Sequence, residues 1–152
     1  MTRRHSALLP LTHDHHHVLA KVRRLKRAAE GGSDPELWRA SQDFVDFFHT
    51  EGELHFKEEE EELVPIFGVT LPPEAVEMLE DHVILRDLVA ALAHEANVAS
   101  VEPVTALRVA DRFAAHVRFE EKVLFPLLES VATEKQMNEI SLAERDRAPD
   151  KS

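Results

Sequence analysis

Two short segments of the chain each place a histidine four residues before a glutamate. The first reads HFKEEEEELVP from His55, and the second reads HVRFEEKVLFP from His116. Aligned without gaps, they share the histidine, two consecutive glutamates, a leucine and the final proline. Residues i and i+4 lie on one face of a helix, so Glu59 and Glu120 each sit beside the histidine of their segment. Two such pairs on two helices could close around a metal ion.

An Asp-His pair precedes each of these segments. Asp14-His15 comes before the first segment, and Asp81-His82 comes before the second. The same order of residues therefore occurs twice, which is typical of two related helical hairpins arranged about a pseudo-twofold axis. Both aspartates are expected either to accept ring N–H bonds from ligand histidines or to act as acids near a helix start.

Apolar residues recur at helical spacing and predict four long helices and a short fifth one. Proline or glycine marks each junction between the long helices, and Asp34, followed by Pro35, is the expected N-cap of the second one. Val123 and Leu124 are both expected to face inward on the fourth helix. The Thr133 to Gln136 spacing is a capping box that begins the fifth helix. The predicted helices run from Pro10 to Glu30, from Asp34 to about Pro65, from Pro73 to about Asn97, from Pro103 to about residue 130, and from about residue 133 to 146.

No alternation of polar and apolar residues competes with this helical pattern. The predicted fold is therefore all-α: a single domain, residues 1–152, that forms an up-down-up-down four-helix bundle over about residues 8–130, followed by the short C-terminal fifth helix. The polar tail after Glu144 is expected to fray. Gly52, one turn before His55, either leaves room for the close approach of a neighbouring helix or a small ligand, or weakens the helix there.

In such a bundle, six polar side chains reach one level of the interior, each within an otherwise apolar stripe. They are His15, His55, Glu59, His82, His116 and Glu120. Four imidazoles and two carboxylates suit two metal ions, each held by two histidines, with both carboxylates bridging. Mixed ligands of this kind favour iron, manganese or zinc over calcium or magnesium. A metal also explains the inward glutamates, because a buried, unpaired carboxylate is costly.

Plainer interpretations exist for the same residues. The two His-x-x-x-Glu pairs could be surface ion pairs, although each interrupts an apolar stripe rather than lying opposite one. His82 could be a core histidine bonded to the backbone. Apart from Glu59, the acidic run from Glu58 to Glu62 is expected to be mostly a solvated face. Near the start of the first helix, His16 is the alternative to His15, because the facing of residues is least certain there.

The composition limits the classes of partner. The net charge of −11 repels nucleic acid and anionic membranes, so neither is expected to bind. The chain has no cysteine, which excludes disulfides and thiolate metal sites and fits a cytoplasmic protein. Ten histidines are an excess that is typical of metal binding or proton handling. We expect neither a signal peptide nor a membrane-spanning helix.

These motifs, taken in order, resemble the hemerythrin-like family, also called the HHE cation-binding domain, over roughly residues 8–130. The resemblance implies a non-haem centre of two iron ions (Fe²⁺ or Fe³⁺), bridged by carboxylates and by an oxo or hydroxo group. Manganese and zinc are less favoured. By resemblance, one iron is held by His15 and His55 and the other by His82 and His116, with Glu59 and Glu120 bridging.

The chain departs from the oxygen-carrying members of this family at one ligand. Those proteins have two histidines four residues apart on the third helix. If His82 is the first of the pair, Arg86 stands at the second position, and if His82 is the second, Met78 stands at the first. The missing imidazole implies an open iron position or another ligand, for which Glu58 is a candidate. The family's carboxylate on the fourth helix lies four or five residues after the histidine, so Glu121 is the alternative to Glu120.

An open position favours catalysis over reversible oxygen carriage. We therefore expect catalase-like breakdown of hydrogen peroxide, as in the handling of oxidative stress, with Glu59 and Glu120 moving protons and Arg86 polarising the peroxide anion. The alternative is a protein that senses or binds oxygen or nitric oxide without catalysis, or that stores iron. In each case the partner is a small molecule (O2, H2O2 or NO), and the chain is expected to be a monomer or a small homo-oligomer.

Overall fold

The computed structural model describes residues 4–142, and this part of the chain contains helices and loops but no strand. The predicted all-α bundle is confirmed. The polar tail predicted after Glu144 lies outside the described residues. A 3₁₀ turn, Ser6–Leu8, precedes the first helix. The five helices are α1 (Leu9–Gly31), α2 (residues 34–67), α3 (Pro73–Asn97), α4 (residues 103–131) and α5 (Glu134–Asn138).

The four long helices form a ring in which each packs on two neighbours. Helix α1 contacts α2 and α4, and α3 also contacts α2 and α4. The connecting loops are only a few residues long, so consecutive helices run antiparallel, which gives an up-down-up-down order. This arrangement brings one face of every long helix into a common interior.

The ends of α2 follow local sequence signals, with one difference from prediction. The Ser33 side chain accepts a hydrogen bond from the backbone N–H of Glu36, so Ser33 is the N-cap and Asp34 is the first helical residue. Asp34 was expected to be the cap. At the other end, Gly68 has a φ of 87°, a left-handed conformation that favours glycine and ends the helix.

The short helix α5 begins with the predicted capping box but is shorter than predicted. It ends at Asn138 rather than near residue 146. The backbone N–H of Ser141 bonds to the side chain of Glu62 at 2.7 Å instead of to a carbonyl of a continuing helix. Met137 is buried against the bundle and fixes α5 at that end.

The buried apolar residues form two clusters with a polar layer between them. On α1, Leu11 belongs to one cluster and Val18 to the other, and His15 lies between them in sequence. On each of the other long helices, the inward histidine likewise lies between a member of one cluster and a member of the other. The smaller cluster consists of Leu8, Leu11, Leu63, Met78, Leu124, Phe125, Leu128 and Met137.

Three π-helical segments interrupt α2 and α4: Phe48–Gly52, Glu59–Leu63 and Glu120–Leu124. Within the second segment, the backbone N–H of Val64 bonds to the carbonyl of Glu59, five residues back. Each such segment adds one residue to a turn and shifts the facing of the later residues of its helix. Val123, which was expected to face inward, is 41% exposed, whereas Leu124 is fully buried. Two of the segments begin at the glutamates of the His-x-x-x-Glu motifs.

Candidate metal centre

The six side chains singled out from the sequence lie together in the polar layer of the bundle. None of them is more than 4% exposed, and both glutamates are fully buried. All four long helices contribute. Helix α1 provides His15, α2 provides His55 and Glu59, α3 provides His82, and α4 provides His116 and Glu120.

These side chains form two groups that share both glutamates. Within each group, four candidate ligand atoms all lie within 4.8 Å of one another. Each group offers two imidazoles and two carboxylates and could hold a metal ion, with the glutamates able to bridge. One group is His15, His55, Glu59 and Glu120, and the other is Glu59, His82, His116 and Glu120.

The atoms at the centre of the cluster fit a missing cation. Within residues 4–142, six buried atoms of the cluster have no hydrogen-bond partner: Nε2 of His55, His82 and His116, both carboxylate oxygens of Glu59, and Oε2 of Glu120. His82 Nε2 lies 3.0 Å from Glu59 Oε1, but the contact lacks the alignment of a hydrogen bond. Buried polar atoms without partners are rare in proteins, and a bound ion explains them.

The outer nitrogen of each histidine donates to a carboxylate on another helix. The bonds from Nδ1 are His15 to Glu121 (2.6 Å), His55 to Asp14 (2.9 Å), His82 to Glu60 (2.7 Å) and His116 to Asp81 (3.2 Å). Such bonds fix the ring orientation and tautomer and leave Nε2 for a metal. The expectation that Asp14 and Asp81 accept ring N–H bonds is confirmed.

The geometry separates the alternatives that the sequence left open. His16 is exposed, whereas His15 is buried in the cluster. Glu120 reaches the centre, while Glu121 lies behind the ring of His15. Glu58 is only 5% exposed, not solvated as expected for most of its acidic run, but it belongs to neither ligand group.

The carboxylate of Glu60 is a partner of His82 that was not expected from the sequence. Glu60 was expected on a solvated face, but it is about three-quarters buried and accepts the His82 ring N–H. A signal was present in the repeat, because a second glutamate follows the ligand glutamate in both segments. Glu60 and Glu121 are these second glutamates, and each holds the histidine of the opposite hairpin.

No described side chain takes the place of the missing histidine. Met78 is fully buried in the smaller apolar cluster. Arg86 belongs to neither ligand group, and its guanidinium donates to Glu53 (2.6 Å) and Glu60 (3.0 Å) instead. This position does not support the expected contact of Arg86 with a ligand. The two candidate ligand groups are therefore alike, with two histidines each.

In the absence of a metal, the neighbouring carboxylates raise the pKa of all four cluster histidines above the ordinary 6.5. Burial by itself lowers the pKa of His82, but close contacts with Glu120, Glu59 and Glu60 outweigh it and raise that pKa to about 10. For His116, burial is likewise outweighed by the charge of Glu120 and the bond to Asp81, and the pKa rises to about 9. A metal ion must displace these protons, so its binding releases them.

A cavity of about 20 Å³ adjoins the cluster where α1, α2 and α4 meet. Three of the candidate ligand histidines form part of its wall: His15, His55 and His116. This volume has room for about one water-sized molecule. The apolar part of the wall consists of Val18, Phe47, Phe48, Phe56, Phe113 and Val117.

Gly52 shapes this cavity together with the ring of Phe48. A Cβ atom at position 52 would lie 2.6 Å from Cδ1 of Phe48, which is closer than real side chains approach. The residue that comes close to Gly52 is therefore a ring from the same helix, in the π-helical segment that Gly52 ends, and not the neighbouring helix expected from the sequence.

One comparison with known proteins agrees with this geometry. A family model described as "Hemerythrin HHE cation binding domain" matches residues 9–128. The searches of curated proteins and of solved structures gave no match. Within residues 4–142, no helix is both long and apolar enough to cross a membrane.

Proposed function

The chain belongs to the hemerythrin family of HHE cation-binding domains, and we propose that it is a di-iron protein that breaks down hydrogen peroxide. The observation that carries the proposal is the pair of buried ligand groups that share Glu59 and Glu120. Iron is favoured by the family and by the mixture of imidazole and carboxylate ligands, with manganese or zinc second.

The chain's own residues supply a defined place for a small ligand. When bound, the two irons would supply the redox equivalents for converting two molecules of peroxide into two of water and one of dioxygen. The cavity admits one small molecule beside His15 and His55. Glu59 and Glu120 would hold both metal ions, and the half-buried Glu51, in the cavity wall, offers a carboxylate for passing a proton to solvent.

Oxygen evolution tests this function directly. Metal-free protein would be loaded with Fe²⁺ without oxygen and then mixed with hydrogen peroxide, while an electrode records dissolved oxygen. We expect repeated turnover, one dioxygen for every two peroxides, with iron retained on the protein. Free Fe²⁺ at the same concentration is the control. Peroxide consumption that stops after one equivalent, or that strips the iron, would rule out catalysis.

A second function, binding or sensing of oxygen or nitric oxide without turnover, is favoured by the apolar wall of the cavity. Aromatic and valine side chains suit a neutral diatomic molecule better than a hydrogen-bonding peroxide. Visible spectra of the ferrous protein distinguish the two functions. A stable spectral change with O2 or NO, without oxygen evolution from peroxide, would favour binding or sensing.

Gly52→Ala should slow the reaction with ligand and leave the metal content unchanged. The added methyl group must displace the Phe48 ring beside a cavity of about 20 Å³, so we expect the rate to fall about tenfold. Stopped-flow mixing of the ferrous protein with peroxide measures this rate. Gly31→Ala is the matched control, because nothing lies within 4 Å of a Cβ there. Equal rates in both variants would show that the cavity is not the route.

A further inference from the structure

We propose that Arg86 and Arg4 are positioning residues, one for each metal position, that act by clamping Glu60 and Glu121 against the outer nitrogens of His82 and His15. The inference rests on the metal-binding part of the proposed function and not on the peroxide chemistry. It also gives Arg86 a role other than contact with a ligand.

The first clamp lies on the outer side of His82. Arg86 Nη1 donates to Glu60 Oε2 at 3.0 Å, and the same oxygen accepts the His82 ring N–H at 2.7 Å. Arg86 Nε also donates a hydrogen bond to the carboxylate of Glu53 at 2.6 Å, which fixes the guanidinium in place. The ring of Phe56 stacks on His82 with centroids 3.9 Å apart, and Arg86 lies 5.3 Å from that ring's centroid.

The second clamp lies on the outer side of His15 and has the same parts. Glu121 accepts the His15 ring N–H at 2.6 Å and is 3.3 Å from Arg4 Nη2, which also bonds to the backbone carbonyl of Glu121 at 2.6 Å. The other terminal nitrogen of the guanidinium, Nη1, donates a hydrogen bond to the carboxylate of Glu129 at 2.6 Å. The ring of Phe125 stacks on His15 at 5.5 Å, and Arg4 lies 5.4 Å from its centroid.

The two clamps do not arise from the sequence repeat. Glu60 and Glu121 are equivalent in the repeat, but Arg4 precedes the first helix whereas Arg86 lies within α3. The two phenylalanines also occupy different positions of the aligned segments. The same arrangement of histidine, glutamate, arginine and phenylalanine is thus built twice from unrelated positions. A requirement of the metal positions explains this, and inheritance from a duplicated hairpin does not.

The physical effect is to restrict each imidazole. A carboxylate behind Nδ1 fixes the ring only if the carboxylate is itself held, and a guanidinium holds it through directed, charge-assisted bonds. The stacked phenylalanine limits rotation of the ring on its other side. Nε2 of the histidine is then kept aimed at the centre of the cluster before a metal arrives.

Site-selective metal release tests the clamp of His82. Arg86→Gln and the parent protein would be loaded with two Fe²⁺ per chain without oxygen and mixed with excess chelator. We expect one of the two ions to leave about tenfold faster in the variant, while the other leaves at the parent rate. Arg86→Lys should recover only part of the difference, because an ammonium lacks the fork of a guanidinium. Arg24→Gln, which removes an exposed ion pair with Asp43, is the control.

A double variant separates this role from simple stabilisation. If Arg86 acts through Glu60, Arg86→Gln should change iron release no further in a Glu60→Gln background. Unchanged release in Arg86→Gln, equal acceleration of both ions, or full additivity in the double variant would overturn the clamp. The melting temperatures of the metal-free proteins measure separately any loss of stability that the substitutions cause without involving the metal. A parent protein that binds no iron would instead overturn the proposed function, and the clamp with it.

Discussion

Replacing Glu59 with alanine should empty both metal positions. The Glu59 carboxylate belongs to both ligand groups and is fully buried, with neither oxygen hydrogen-bonded within the described residues. Its loss removes one ligand from each ion at once. We expect affinity to fall by more than about 100-fold at each position, beyond the effect of losing an outer-shell partner. Elemental analysis of the purified variant measures the remaining metal.

Matched variants make this result specific. Glu61→Ala alters the same acidic run at an exposed position and should keep the parent's metal content. His116→Ala removes a ligand from one group only, so it should empty one position and leave the other occupied. A Glu59→Ala protein that retains two ions would contradict the bridging role of this carboxylate.

Removing the metal should destabilise the protein, and more so at pH 9 than at pH 6. In the metal-free protein, the carboxylates outweigh burial and hold the pKa of His82 at about 10 and that of His116 at about 9, above the ordinary 6.5. A histidine whose pKa is higher in the folded than in the unfolded protein stabilises the fold fully at a pH below its unfolded-state pKa. This stabilisation is lost as the pH rises through the folded-state pKa. The metal-loaded protein does not hold these protons.

The difference in melting temperature between loaded and metal-free protein should therefore widen between pH 6 and pH 9. Part of the effect also comes from metal affinity, which increases as protons stop competing for the imidazoles. Melting curves of both forms at the two pH values give the comparison. A difference that stays constant or narrows with pH would show that the cluster histidines are not protonated in the metal-free state.

The fold and the ligand cluster could be predicted because both depend on simple periodicities. Apolar residues at helical spacing predicted the long helices, and prolines and glycines predicted most of their ends. The interruption of each stripe by histidine or glutamate singled out the six side chains that the structure brings together. The i,i+4 spacing of His55 and Glu59 survives because the π-helical segment begins at Glu59 rather than before it.

The features that escaped prediction depend on backbone register or on contacts between distant residues. The spacing of apolar residues in the sequence does not show where a π-helical segment will form. The exposure of Val123, which follows from such a segment, could therefore not be predicted. Glu60 was expected on a solvated face and Arg86 at a bound ligand, because the ion pair between them forms only when α2 and α3 pack together. Arg4 reaches Glu121 from the segment before α1, a contact that no local pattern indicates.

The most direct test of a two-metal centre is the metal content of the protein purified without added metal. Elemental analysis against an accurate protein concentration gives the number and identity of the ions per chain. The two ligand groups predict about two iron ions per chain, and two in Glu61→Ala as well. One ion per chain or none, or zinc alone, would contradict a di-iron centre held by these six side chains.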